Sequence, residues 1–169
     1  RPTELATDDA STAAVARHTV EWLDSKEGYD AEDLLILEPT SPGRQVTHIQ
    51  KTLDSLASLN VDTIASVVPV PHHFHRKKQL EMLIDSQLVG SEGIHPKDMS
   101  HRRQTLPPSY AFDGTIFACK AEIVFSDPPS LWGSTVHGFI IENKYSVDLD
   151  EPSDWVPAEE KLRTILLPY

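Results

Sequence analysis

Two carboxylates flank one apolar residue at Asp148-Leu149-Asp150. In an extended segment successive side chains alternate in direction, so both acids point to one side and Leu149 to the other. Hard oxygen donors presented this way suit magnesium, which is commonly held by one or two carboxylates together with substrate phosphates. A second role is open to the same residues, because Asp150 stands where a helix cap would accept the first amide groups. His72, His73 and His75 invite a zinc reading, yet no further cysteine or spaced histidine pair completes a four-ligand set, and a polar loop or a subunit contact is the simpler reading. Arg102-Arg103-Gln104 is a compact basic pair that suits bidentate recognition of carboxylate or phosphate, or else forms a solvated turn. The lone Cys119 lies in an apolar run and reads as core rather than nucleophile. No Gly-rich phosphate loop and no Gly-x-Ser-x-Gly elbow occurs.

Composition narrows what these groups can serve. Lysine and arginine number 15 against 26 aspartates and glutamates, a formal charge of -11, which argues against a broad nucleic-acid surface. A phosphate ligand would then need a local cluster and a metal. With 169 residues, 39% hydrophobic and 24% charged, the chain suits a single folded domain. One cysteine excludes an intrachain disulfide and fits a reducing cytoplasm. The absence of any apolar run near the ~20 residues of a membrane span predicts no membrane partner.

The elements that must position these groups are readable from periodicity. Thr12 to Lys26 carries Ala14, Val15, His18, Thr19, Trp22 and Leu23 at helical spacing, behind a Thr7-Asp8-Asp9 stretch able to cap it. Leu34 to Leu37 predicts a strand buried on both faces, ended by Glu38-Pro39-Thr40-Ser41-Pro42-Gly43. Arg44 to Leu59 predicts an amphipathic helix, and Thr63 to Val70 a second buried strand. Strand, helix and strand in this order form a βαβ unit and imply a parallel sheet, with ligands collecting outside the carboxyl ends of the strands, where residues 38 to 44 would lie. Pro71 to Pro108 reads as an excursion from the sheet. Strands follow at Gly114 to Ala118 and Val136 to Glu142, with a short helical turn between them around Lys120 to Phe125. A helix closes the chain over Glu151 to Leu167, starting near Asp154 because Pro157 is tolerated only in a first turn. Trp22, Trp132 and Trp155 read as core or boundary residues.

Four segments taken together, Leu37-Glu38-Pro39-Thr40-Ser41-Pro42, Arg102-Arg103-Gln104, Asp113-Gly114-Thr115-Ile116-Phe117 and Ser146-Val147-Asp148-Leu149-Asp150, resemble the acylneuraminate cytidylyltransferases, the CMP-sialic-acid synthetases, in order and spacing. The opening Arg1-Pro2-Thr3-Glu4-Leu5-Ala6-Thr7-Asp8 resembles the segment before that family's first long helix, so the resemblance covers nearly the whole chain. It implies an α/β, Rossmann-like, mostly parallel sheet flanked by helices, spanning residues 1–169 with an inserted dimerisation arm at 71–108. It also implies transfer of CMP from CTP to a nonulosonic sugar acid such as N-acetylneuraminate, with release of pyrophosphate, by a cytoplasmic homodimer. Asp148 and Asp150 would hold Mg2+ against the triphosphate. Glu38, Thr40, Ser41 and Arg44 would line the sugar and nucleotide cleft with Asp113 and Gly114, and Arg102, Arg103 and Gln104 would reach from the arm toward the neighbouring subunit's site.

The same resemblance marks departures. The family usually has glutamine where this chain has Glu38, and often asparagine where it has Asp113. A carboxylate facing a sugar carboxylate repels it, so the expected sugar is related to sialic acid rather than sialic acid itself. The family's glycine-rich, basic phosphate loop would precede Arg1, and without it the 169 residues are expected to bind CTP poorly and turn over little. The alternative is a truncated or diverged homologue that keeps the fold and dimer surface and serves as a non-catalytic binding or interaction module.

Overall fold

A computed structural model describes residues 1–7, 9–99 and 102–166. The chain divides into two compact units, one of residues 1–67 and 113–169, the other of Val68–Phe112.

The larger unit is α/β. Helix α1 (Thr12–Glu27) begins at Ser11, whose hydroxyl accepts from the Ala14 amide at 3.2 Å. The cap is therefore this serine and not the expected Thr7 to Asp9 stretch, of which Asp8 lies outside the described residues. Gly28 ends the helix at φ +63°, with its amide donating to Asp24 O. Strand β1 (Asp33–Ile36), helix α2 (Val46–Leu59) and strand β2 (Thr63–Pro69) follow as expected, each within two residues of the bounds read from periodicity. Strand β5 (Tyr110–Lys120), a 3-10 turn at Ala121–Phe125, strand β6 (Val136–Ile140) and helix α3 (Trp155–Leu166) complete it.

The sheet order is β1-β5-β2-β6. β1 pairs antiparallel with β5, Asp33 opposite Lys120 and Ile36 opposite Phe117, whereas β2 and β6 pair parallel, Thr63 opposite Val136. The mostly parallel sheet is thus corrected to a mixed one. The physical reason lies in the connection: β5 follows β2 through the 68–112 excursion rather than through the crossover helix that usually joins parallel neighbours. β1 is corrected as well, since it lies at the outside of this order and is half-buried instead of buried on both faces.

Period-two alternation builds two cores. Leu56, Val61, Ile64 and Ala118 pack with Leu35 and Phe139 on the α2 face. Ala16, Val20 and Val124 pack with Leu34 on the α1 face, and Ala65, Phe117 and Cys119 continue that layer with Leu34, Ile36 and Leu131. Neighbours in sequence, Leu34 and Leu35 or Ala118 and Cys119, thus serve opposite faces, and helices cover both. The connection into β6 is tied to β2: the Thr135 amide donates to Asp62 Oδ2 at 2.8 Å, and the Thr63 hydroxyl donates to Leu131 O at 3.0 Å. The Asp62 carboxyl is held below its ordinary range, first by that Thr135 amide. Trp132 stands edge-to-face on Phe117 at 4.8 Å, and it, Trp22 and Trp155 are all exposed boundary residues.

The smaller unit is a hairpin of β3 (Leu80–Met82) and β4 (Leu88–Gly90), antiparallel and surrounded by short 3-10 turns. His75 is buried in it and uses both ring nitrogens internally, Nδ1 accepting from the Lys77 amide at 3.1 Å and Nε2 donating to Pro107 O at 3.1 Å. His72 and His73 meet edge-to-face at 5.4 Å. Among the described residues no helix is long and apolar enough to cross a membrane.

Candidate functional site

The segment after β1 cannot continue as a strand, because Pro39 and Pro42 lack the amides that a ladder uses. It folds instead into successive turns, the Ser41 amide donating to Glu38 O and the Arg44 amide to Ser41 O, both at 3.3 Å. Arg44 then reaches back. Its Nη1 donates to Glu38 O at 3.0 Å and to Thr115 O at 2.8 Å, which fixes the loop against β5. Ser41 is buried, Thr40 half-buried and Glu38 exposed. Arg44 was expected in a cleft lining, and its guanidinium here spends two bonds on the backbone.

Asp113 and Gly114 lie within β5. Gly114 has φ +69°, a conformation that favours glycine. Both Asp113 oxygens turn onto Thr115, one accepting from its amide at 3.1 Å and the other from its hydroxyl at 2.8 Å. The acid that replaces the expected amide at this position is therefore engaged within its own turn.

The third segment of the site follows β6. Its approach to the loop is backbone to backbone, since a Cβ at Gly43 would run into the Tyr145 carbonyl and meet Val147 Cγ2 at 3.0 Å. Beyond it Val147 is buried, Asp148 exposed, Leu149 half-buried and Asp150 exposed, the alternation expected of an extended segment. Lys161 of α3 donates to Ser146 O and holds this stretch from the other side.

Helix capping falls to a different acid from the one the sequence suggested. Asp154 Oδ2 accepts from the amides of Asp150 at 3.0 Å and Glu151 at 2.7 Å. The Asp150 carboxylate has no hydrogen-bond partner among the described residues, and Asp148 commits only one oxygen, to the Leu149 amide at 3.1 Å. Exposed carboxylates with oxygens to spare fit a magnesium ion. No group of three or more His, Cys, Asp and Glu suited to a metal occurs among the described residues, so further ligands would come from water or phosphate oxygens, as magnesium favours.

His48 was not singled out by motif reading, because it is isolated in sequence on an otherwise apolar-patterned helix. In the fold its ring lies edge-to-face with Tyr145 at 4.9 Å and tilted against Phe139 at 6.2 Å. Its Nδ1 accepts from the Gln45 amide at 3.3 Å, and Gln45 Nε2 in turn donates to Gly43 O at 2.9 Å. Its pKa is lowered, first by desolvation and then by Lys51, against the opposing pull of Glu142 and Asp113. Gly43, Tyr145 and Lys161 also escaped notice, since only the folded chain reveals their contacts.

Arg102, Arg103 and Gln104 belong to the smaller unit, where all three are exposed and Arg103–Thr105 forms a 3-10 turn. His101, beside them, lies outside the described residues.

The loop at 38–44, the turn at 113–115 and the stretch at 145–150 are thus three distant segments that converge, in a chain whose sequence is similar to those of known proteins. No family model matches the chain. Over 159 residues, 92% of the chain, it is 28% identical to proteins named N-acylneuraminate cytidylyltransferase from Streptococcus agalactiae serotypes III, Ia and V. Its homologues are cytidylyltransferases. The chain spans about a third of the length of these curated relatives, 35%. The cytidylyltransferase relationship therefore covers both units of this chain and only part of each relative.

Proposed function

We propose that this protein is a magnesium-dependent nucleotidyltransferase that moves CMP from CTP to a sialic-acid-like nonulosonic acid, releasing pyrophosphate. What supports the reading is the convergence of the 38–44 loop, the 113–115 turn and the 145–150 stretch, pinned by Arg44 and Gly43, in a chain whose homologues are cytidylyltransferases.

Asp148 and Asp150 would hold the metal, and their oxygens are exposed for it. A magnesium ion held there would supply charge neutralisation at the phosphates and orientation of the leaving pyrophosphate. Thr40 and Glu38 would contact the sugar or nucleotide from the loop that Arg44 and buried Ser41 keep in shape. Glu38 remains an exposed acid, which favours acceptors bearing a hydroxyl or amine at that point over a second carboxylate. Asp113 exerts less of this selection because Thr115 already satisfies both of its oxygens.

The smaller unit presents Phe74, Leu80, Met82, Leu83, Ile84 and Leu88 exposed, and large exposed apolar side chains that lie together mark interaction surfaces. We assign it to pairing with a second copy of the chain, with Arg102, Arg103 and Gln104 presented to the neighbouring subunit's anionic substrates.

The test uses the protein at the full length its gene encodes, incubated with CTP, magnesium and a panel of nonulosonic acids. Pyrophosphate release is expected with at least one acid and not after chelation of the metal; folded protein that releases none with any acid overturns the reading and favours a non-catalytic binding module. Asp150→Asn should lower turnover by at least ~100-fold while changing stability by less than about 0.5 kcal/mol, as an exposed substitution does. Loss of stability with activity retained would return Asp150 to a structural role.

A further inference from the structure

His48 joins the pieces of the site without belonging to any of them. Through Nδ1 it receives the Gln45 amide at the start of α2, and Gln45 grips the Gly43 carbonyl. Through its ring it leans on Tyr145, whose own carbonyl lies against Gly43. A closed triangle results, loop to helix to the stretch that leads into Asp148 and Asp150.

The acceptor role of Nδ1 fixes the tautomer, leaving the proton on Nε2. A second proton would put an N–H on Nδ1 directly opposite the Gln45 N–H, turning one hydrogen bond into two facing donors. It would also place a cation in the first turn of α2, where the helix dipole opposes it. The charged groups around the ring are Lys51 on its own helix, Asp113 from β5 and Glu142 beyond β6, with Lys144 over the Tyr145 ring at 4.7 Å.

We propose that His48 is a positioning residue: its neutral ring holds the 38–45 loop and the 145–150 stretch in register, and protonation releases that register. The direction of its titration agrees, since burial and Lys51 outweigh the two acids and keep the ring neutral below its ordinary value. A histidine whose folded value lies below the unfolded one, about 6.5, contributes full stability above that pH. The contribution is lost as pH falls from there through the folded value.

The activity readout rests on the nucleotidyltransferase reading, and the structural readout does not. Asparagine can offer its Oδ1 near the Nδ1 position and cannot take up a proton. For His48→Asn we expect activity within about threefold of the parent at pH 7.5 and loss of the parent's acid limb in kcat. For His48→Ala we expect a loss of about 10- to 100-fold at every pH, on the scale of a small misplacement of reacting groups. An unaltered acid limb in His48→Asn, or full activity in His48→Ala, overturns the proposal. In parallel, NMR should show the amides of Gly43, Gln45 and Tyr145 following the His48 ring titration in the parent and staying flat in His48→Asn. If no sugar acid supports turnover, this second readout still decides: amides that ignore the ring titration refute the positioning role, whatever becomes of the enzyme reading.

Discussion

Cys119 is fully buried in the layer between the sheet and α1, and burial, helped by the nearby Asp33 charge, pushes its thiol up to about 11. A thiol kept protonated and out of reach is inert, because the thiolate is the nucleophile. An aromatic disulfide reagent at pH 8 should leave the native protein unlabelled and react stoichiometrically once denaturant unfolds it; rapid labelling of the native protein would contradict this. Cys119 was legible from sequence because burial of a small residue in an apolar run is a local property. The Asp148-Leu149-Asp150 alternation was legible for the same reason. Ser11, His48 and Asp154 were not, since a cap or a tautomer depends on which amide the fold delivers to a side chain. Asp154 illustrates it: the sequence offered Asp150 as the cap, and the turn at Glu151–Asp154 delivers the amides to Asp154 instead.

At the scale of elements, the two helices on the sheet and all four of its strands stood out through periodicity, because each must bury an apolar face. Strand direction did not. The β1-α2-β2 pattern suggested parallel neighbours, yet β5 lies between those strands, and nothing in a local window reports an insertion from 50 residues downstream. The meeting of the 38–44 loop with the 145–150 stretch was equally silent, since it depends on a missing side chain at Gly43. Gly43→Ala should force the loop away from Tyr145, costing about 1–3 kcal/mol in urea unfolding and lowering turnover. An alanine variant as stable and active as the parent would show that the crossing is looser than the backbone contact requires.

For the whole molecule, the acidic balance and the exposed apolar surface point in different directions. A charge of -11 keeps copies apart at long range, and the hairpin of the smaller unit supplies apolar area over which they can meet. Met82 and Ile84 stand most openly on that hairpin and its turn, so the double change Met82→Glu and Ile84→Glu should convert a dimer to a monomer in sedimentation velocity without unfolding it. A parent that sediments as a monomer at all concentrations would remove the pairing proposal. The excursion that carries this hairpin leaves after β2 and returns into β5, strands that are neighbours in the sheet, and the Val70 amide donates to Ser109 O at 2.8 Å across its neck. Its two ends are thereby closed before any of its interior is specified. Doubling the length of such a closed loop costs only ~0.6 kcal/mol of chain entropy. The stretch between residues 71 and 108 can therefore change in length at little entropic cost while the strands that flank it stay paired.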